Sequence, residues 1–266
     1  MKLEIMKNAF SFVPQEMGTV LRRAAYSPNV KERMDASCAV FDAEGRMFSQ
    51  AEHIPVHLGS MPMAVGYVKQ YFEDNLKEGD QIVVNDPYHG GSHLNDITLV
   101  RPVFLQDDLV GYTVNKAHHA DVGGRTPGSM PAGSRRLDEE GFALEPTKLM
   151  EEGAECTDIF EFIRNNTRTP TERLGDLRAQ IAANNTGSKR LNTFLEKYGR
   201  AEYNEFVEAV LAYSELRVRK ALRNIPNGTY TAEDLMDDDG CQDRPVKIAV
   251  SVSVAEKEVK IDFTGT

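Results

Sequence analysis

The amino-acid sequence predicts an α+β protein with mixed β-sheets, a long N-terminal helix and a helical hairpin near residues 171–223. Apolar residues recur every three or four positions over residues 3–25, which is typical of an amphipathic helix. The same spacing returns over 171–198 and 201–223, which predicts two consecutive helices. Between these helical regions, short apolar runs alternate with turn residues, which predicts strands.

The elements between the helices follow from short sequence patterns. "SCAVFDAEGRMFSQ" (37–50) predicts a strand, a turn and a second strand. "GSMPMAVGYVKQYFEDNL" (59–76) predicts a helix with a proline in its first turn, and "GDQIVVND" (79–86) predicts a short buried strand. "ITLVRPVF" (97–104), a polar "QDD" turn and "LVGYTVNK" (109–116) predict a β-hairpin.

The chain divides into two predicted regions. Residues 1–169 form an α+β region that carries a metal site, and residues 170–266 form the helical hairpin and C-terminal strands. The strand pattern "EVKIDFTGT" runs to the last residue, so we expect a truncated chain whose second region is continuous with the first.

Composition and short motifs exclude several classes of protein. The net charge is −10, and an acidic chain gains nothing from phosphate backbones, so no nucleic-acid partner is expected. No apolar run approaches about 18 residues, so no membrane span is expected. Three distant cysteines without a CxxC pair favour a reducing compartment, and we expect a cytoplasmic protein. The sequence contains no GxxxxGK[ST] loop and no GxSxG elbow, so neither P-loop ATP binding nor serine hydrolysis is predicted.

The histidines are the strongest functional signal. All six fall between positions 53 and 119: His53, His57, His89, His93, His118 and His119. Neutral imidazoles beside carboxylates suit zinc, manganese and iron. The competing interpretation is that these histidines only bond to loop carbonyls and cap strands.

The predicted hairpin brings some of these side chains together. His93 and Asp96 lie just before its first strand, and His118 lies just after its second, so the three would meet at one end. Asp35, which precedes the strand "ASCAVF", is a further oxygen ligand. Two histidines with two carboxylates favour a divalent transition metal (Mn, Zn or Fe) over calcium. Gly90 and Gly91 would let the backbone approach the ion or the substrate closely.

Other residues of the same segments are candidates for catalysis. His119 points away from His118 if the segment is extended, and it would then support a ligand, contact the substrate or carry a proton. The remaining catalytic candidates are His57, His89 and Asp121. Four further residues are expected to shape the pocket or its loop: Asn85, Asp86, Gly123 and Gly124.

The same motifs carry a resemblance to a known family. The stretches "SPNVKERMDASCAVFD", "HIPVHLGSMP", "VVNDPYHGGSHLNDITLVRPVF", "AHHADVGGRTPGSMP", "PTKLMEEG", "GDLRAQIAANNTGSKRL" and "IDFTGT" occur in the order found in that family. The sequence therefore resembles the hydantoinase B/oxoprolinase family, which includes N-methylhydantoinase B subunits and is related to subunits of acetone and acetophenone carboxylases. The resemblance covers nearly the whole chain and corresponds to the N-terminal half of its longer members.

The resemblance implies a division of chemistry between subunits. A hydantoinase A-like ATPase partner would bind ATP and phosphorylate a carbonyl or enol oxygen of the substrate, and this chain would act on the activated species at a metal site. The implied ligands are Asp35, His93, Asp96 and His118, with proton transfer by His119 or Asp121. The implied assembly is a hetero-oligomer.

Three functions follow from the resemblance. The first is ring-opening hydrolysis of a lactam or hydantoin, a small cyclic amide. The second is ATP-dependent carboxylation of a ketone, for which the shared motifs are equally suited. The third is an inactive structural fragment of either enzyme.

Overall fold

The structure is a computed structural model that describes residues 2–73 and 75–266. Its helices and strands, in chain order, are α1 (Lys2–Ala24), α2 (Pro28–Lys31), β1 (Ala36–Asp42), β2 (Met47–Glu52), α3 (Val56–Phe72), β3 (Gln81–Val84), β4 (Asp96–Leu105), β5 (Asp108–His118), β6 (Thr147–Glu151), β7 (Ala154–Glu155), α4 (Thr157–Asn165), α5 (Pro170–Leu222), β8 (Gly228–Met236), β9 (Val246–Ala255) and β10 (Glu258–Asp262). Two short 3₁₀ turns cover Pro87–His89 and Leu137–Glu139. The predicted α+β class is confirmed.

The chain forms two compact units. The first comprises residues 1–131 and 136–207, and the second comprises residues 132–135 and 208–266. The division therefore falls inside α5 and not near the predicted boundary at residue 169. The N-terminal part of α5 belongs to the first unit because its apolar side chains are buried there: Leu177, Ala183 and Leu191 are fully buried.

A seven-stranded antiparallel sheet is the framework of the first unit. Its strand order is β2-β1-β5-β4-β3-β6-β7. One face packs on α3, where Val65 and Val68 meet Val100 of β4 and Val114 of β5. The other face packs on α4 and α5. Successive side chains of a strand point to opposite faces, so residue parity in β4 and β5 decides which helix a side chain meets.

The second unit contains the C-terminal part of α5 and a three-stranded antiparallel sheet of order β10-β9-β8. Within α5, Gly199 has non-helical angles (φ 76°, ψ 159°), so the helix is interrupted between the two predicted helical stretches. A positive φ of this size is available to glycine without a side-chain clash.

Most predicted elements are present, with shifted ends. The hairpin of β4 and β5 and the pair of β1 and β2 form as predicted. Helix α3 begins three residues earlier than predicted, so it includes His57. The prediction missed α2, α4, β6, β7 and β8, and the last strand ends at Asp262 instead of continuing to Thr266. Within the described residues, no helix combines the length and apolarity needed to span a bilayer.

Candidate metal centre

Asp35, His118 and Asp96 lie side by side at the ends of three neighbouring inner strands of the seven-stranded sheet. His118 ends β5 and is the register partner of Asp96, which begins β4. On the other side of β5, Asp35 directly precedes β1, and its carbonyl accepts a hydrogen bond of 2.9 Å from the His118 N–H. Neighbouring strands are about 4.8 Å apart. Local strand pairing therefore brings together three residues that are far apart in sequence.

All three side chains belong to the sheet face that α3 covers. Val100 of β4 and Val114 of β5 pack in the α3 cluster. Asp96 and His118 are each an even number of positions away along the same strands, so they project to that face as well. Asp35 has the same parity as Ala39 of β1, which packs in the same cluster.

Asp96 is the central acceptor of the cluster. His93 Nε2 lies 2.9 Å from Asp96 Oδ1, and His118 Nδ1 lies 3.2 Å from the same oxygen. Ser92 Oγ donates to Asp96 Oδ2 at 2.7 Å. Burial alone would raise the pKa of Asp96, but the hydrogen bonds from His118, His93 and Ser92 outweigh burial and hold that pKa far below its usual range. In turn, the hydrogen bond to Asp96 raises the pKa of His93 above its usual value.

His57, in the first turn of α3, connects the two carboxylates. Its Nε2 lies 3.5 Å from Asp35 Oδ1 and 3.7 Å from Asp96 Oδ2. Burial lowers the pKa of His57, and the two carboxylates only partly oppose this effect. His57 is therefore neutral at pH 7, and its buried Nδ1 has no hydrogen-bond partner among the described residues.

A turn in an unusual conformation delivers Asp35 to this position. Met34 has φ 56°, in the left-handed region that residues other than glycine rarely adopt. The Asp35 N–H donates to the Asn29 carbonyl at 3.0 Å, and the Ala36 N–H donates to the Met34 carbonyl at 2.8 Å. Such backbone strain is typical of functional sites, where the surrounding structure holds it in place.

The glycine-rich loop that carries His93 is held by close backbone packing. A Cβ atom at Gly91 would lie 2.5 Å from the Asn85 carbonyl oxygen. A Cβ atom at Gly90, where φ is 93°, would lie 2.5 Å from the backbone of Ala64 in α3. The buried Asn85 amide donates to the Leu94 carbonyl at 2.8 Å. Asn85 thus shapes the loop, as predicted. The two glycines allow the loop to pack closely on its own backbone and on α3, and the expected approach of their backbone to an ion or a substrate stays a prediction.

Sequence reasoning missed Lys116, although its position carried a signal. Lys116 lies two residues before His118 in β5, so both side chains share one face. It is fully buried, and its Nζ donates to Ser60 Oγ and, at 3.5 Å, to Ser92 Oγ. Burial lowers the pKa of Lys116 to about 8, although nearby Asp96 opposes the effect. A lysine inside a predicted strand, two positions before the predicted ligand His118, is the pattern that could have revealed it.

His119 lies outside the cluster, as its parity predicts. It is fully buried on the opposite face, where its Nε2 lies 2.9 Å from Gln180 Oε1 of α5. The Gln180 amide donates to the Ile97 carbonyl and to Asn115 Oδ1, so its oxygen accepts from His119. Burial, with a contribution from the Arg173 cation, lowers the pKa of His119 to about 4. These contacts attach α5 to the sheet.

Asp121 and His89 also lie away from the cluster. Asp121 accepts hydrogen bonds from the Arg168 N–H at 2.7 Å, from the Arg168 guanidinium at 2.6 Å and from Ser129 Oγ at 2.9 Å. The Gly124 N–H donates to the same Ser129 hydroxyl, so the loop after β5 closes on Asp121. His89 Nδ1 lies 3.0 Å from Asp86 Oδ2. Of the four catalytic candidates, only His57 lies in the cluster.

The donor set fits a divalent transition metal. The ligand atoms of His93, Asp96 and His118 all lie within 4.8 Å of one another. Imidazole and carboxylate donors suit zinc, manganese and iron, whereas calcium prefers six to eight oxygen ligands. Asp35 would add a second carboxylate from the neighbouring strand. Fold and site together define an α+β protein with a candidate metal centre at the ends of the inner strands of an antiparallel sheet.

The chain belongs to the Hydantoinase B/oxoprolinase family, whose model matches residues 1–266. The B subunit of a putative D-/L-hydantoinase from Pseudomonas sp. is 33% identical over 99% of this chain and 46% of its own length. The crystal structure of the ATP-dependent caprolactamase from Pseudomonas jessenii is similar over 98% of this chain and 45% of that one, with 30% identity and a TM-score of 0.92.

A nucleotide-free structure of acetone carboxylase shares the fold. It is 19% identical over 98% of this chain and 37% of that one, with a TM-score of 0.87. At this identity the similarity concerns the fold alone. The chain spans about half the length of the caprolactamase chain and of the Pseudomonas hydantoinase polypeptide.

Proposed function

We propose that this chain provides the metal site of an ATP-dependent cyclic amidase, in which a hydantoinase A-like ATPase partner activates a lactam or hydantoin ring by phosphorylation. The observation that carries the proposal is the alignment of Asp35, His118 and Asp96 across three neighbouring strands, with His93 and His57 completing the cluster. The Pseudomonas relative is named as one subunit of a hydantoinase, which supports a hetero-oligomer.

Four residues would hold the cation: Asp35, His93, Asp96 and His118. When bound, a divalent transition metal supplies Lewis acidity toward a carbonyl or phosphoryl oxygen and lowers the pKa of a coordinated water. The protein contributes the orientation of the donors. Ser92 donates a hydrogen bond to the Asp96 carboxylate, and His57 Nε2 lies 3.7 Å from Asp96 and 3.5 Å from Asp35. Such supporting contacts fix the direction of ligand atoms and commonly change metal affinity when removed.

His57 and Lys116 are the groups best placed to act on a substrate at this site. Burial lowers the pKa of His57 and so favours the neutral imidazole, which is the form that a general base needs. Lys116 is a buried donor on the same face as His118, beside the hydroxyls of Ser60 and Ser92. A cation there would attract the negative charge that a phosphorylated substrate carries. His119 and Asp121 would instead hold the surrounding loops.

The chemistry explains why an ATPase partner is needed. An amide carbonyl is a poor electrophile, and phosphorylating its oxygen makes the carbon open to attack and supplies a leaving group. This chain would then need only to position water and manage protons. Hydrolysis is favoured over ketone carboxylation because the caprolactamase and hydantoinase relatives are 30% and 33% identical, whereas the acetone carboxylase is 19% identical.

Reconstitution tests the proposal. The full chain, combined with a hydantoinase A-like ATPase subunit and ATP, would be assayed on a panel of lactams and hydantoins, and separately on ketones with bicarbonate. Ring-opened product and phosphate are expected from the cyclic amides, with both lost in His93→Ala. Carboxylated ketone without ring opening would support the carboxylase instead. A metal-loaded chain that gives no product with any substrate would support the inactive fragment.

A further inference from the structure

A second group of metal-binding side chains lies outside the cluster described above. Asp86, His89 and Glu145 each place one ligand atom within 4.8 Å of the other two. Asp86 directly precedes the 3₁₀ turn at Pro87–His89, His89 is the last residue of that turn, and Glu145 lies just before β6. The two groups of possible ligands share no residue.

We propose that Asp86, His89 and Glu145 form a second site for a divalent transition metal of the zinc class. One imidazole and two carboxylates are donors that zinc, manganese and iron accept. Three protein ligands would leave a position for water or for an exogenous ligand. The site goes beyond the proposed amidase function, which does not use these residues.

The donors are already oriented by their neighbours. The Tyr88 N–H donates to Asp86 Oδ1 at 2.8 Å, which turns Oδ2 toward His89 Nδ1 at 3.0 Å. The hydroxyl of Tyr71 in α3 donates to Glu145 Oε2. Each carboxylate thus has one oxygen held by a neighbour. Fixing ligands through such contacts is what protein metal sites commonly do.

The imidazole is held as well. The Tyr67 and Tyr71 rings meet the His89 ring edge to face, at centroid distances of 5.4 and 5.9 Å. Gly90, with φ 93°, packs against the backbone of α3 immediately after His89. The ring is therefore confined between α3 and the loop, so little side-chain freedom remains to be lost when a cation binds.

Charge and access also suit a cation. The carboxylates of Asp86 and Glu145 lie near the His89 imidazole. Among the described residues, neither carboxylate forms an ion pair with a lysine or an arginine. Asp86 is nearly buried, whereas Glu145 is exposed, so an ion would enter from the Glu145 side. A bound ion would link the loop at Asp86 to the segment before β6. This loop continues to His93, so the ion would stiffen the segment that carries a ligand of the first site.

Zinc counting separates the two sites. The full 266-residue chain would be stripped with a chelator and dialysed against graded Zn²⁺, and bound zinc would be measured by elemental analysis. Wild type is expected to bind two equivalents. His89→Ala should bind one equivalent. Glu145→Gln keeps an oxygen that accepts from Tyr71, and it should lower the affinity for the second zinc ion by at least about tenfold. Asp107→Asn, an exposed turn residue, is the charge-matched control.

Each outcome decides the proposal. One equivalent that remains in His93→Ala but disappears in His89→Ala supports this site even if the first site fails. If the wild type binds one equivalent of zinc and only His93→Ala loses it, the second site is overturned. The second site is also overturned if the zinc-binding curves of His89→Ala and Glu145→Gln superimpose on the wild-type curve. Because Glu145 is exposed, Glu145→Gln remains informative if His89→Ala does not fold.

Discussion

Asp96 and His118 are register partners in β4 and β5, and Asp96 Oδ1 lies 3.2 Å from His118 Nδ1. The hairpin that joins the two strands sets this distance, because its turn determines which residues face each other. Asp35 occupies the next position across the sheet, on the far side of His118. The candidate metal centre is thus a direct product of antiparallel pairing.

Removing either of the two imidazoles proposed as ligands should remove the metal of this site. His93→Ala and His118→Ala are each expected to lose one equivalent of transition metal while keeping the wild-type circular dichroism spectrum, since neither side chain is part of an apolar core cluster. Elemental analysis of the purified variants measures this loss. His53→Ala, which removes a histidine outside the cluster, is the control. Full metal content in either variant would show that the ligand set is wrong.

His57 should tune the metal without being required for it. His57→Asn removes the imidazole that lies between Asp35 and Asp96, so we expect metal affinity to fall about 10- to 100-fold. Competition with a chelator of known affinity measures the change. An unchanged affinity would rule out the orienting role. If the variant binds no metal even when the metal is supplied at millimolar concentration, His57 would instead be a ligand.

Gly91→Ala should disturb the loop that carries His93. The added Cβ would lie 2.5 Å from the Asn85 carbonyl and 2.7 Å from the Asp86 carbonyl, so the backbone has to move. We expect weaker metal binding and a loss of roughly 1–3 kcal/mol of unfolding free energy. Urea unfolding and metal titration measure both effects. Gly59→Ala is a matched control, because its Cβ would meet no atom within 4 Å.

Asp121 should stabilise the fold in a pH-dependent way. Burial alone would raise its pKa, but the hydrogen bonds from Arg168 and Ser129 outweigh burial and lower it in the folded state. The stabilisation is therefore present above the unfolded-state pKa of about 3.9 and is lost as pH falls through the lower folded-state value. Asp121→Asn should cost roughly 2 kcal/mol at pH 7.

The pH dependence is the informative part of that experiment. Urea unfolding at pH 7 and at about pH 3 would compare Asp121→Asn with wild type. The difference between the two proteins should shrink at the lower pH. A difference that is the same at both pH values would mean that the carboxylate charge does not matter. Asp107→Asn provides the control for removing one acidic residue.

Sequence reasoning reached much of the candidate site because much of it is local. His93 and Asp96 are three residues apart, and His118 follows from the hairpin alone. That these residues bind a metal stays a prediction. His57 was a candidate without an assigned position, since its place depends on α3 packing across the sheet. His89 and Asp121 were grouped with the site by sequence proximity, but their partners, Asp86 and Arg168, direct them elsewhere.

By itself, the sequence determined the α+β class, the hairpin, the interruption between the helical stretches of α5 and the parity that separates His118 from His119. These features depend on periodicity and short-range turns, which act between neighbouring residues. Only the tertiary structure decided that Asp35 lies beside His118, that His57 bridges two carboxylates and that Lys116 is buried among them. It also decided that α5 is divided between two units. These features depend on strand order and on helix packing against a sheet face, which join residues that the linear sequence keeps far apart.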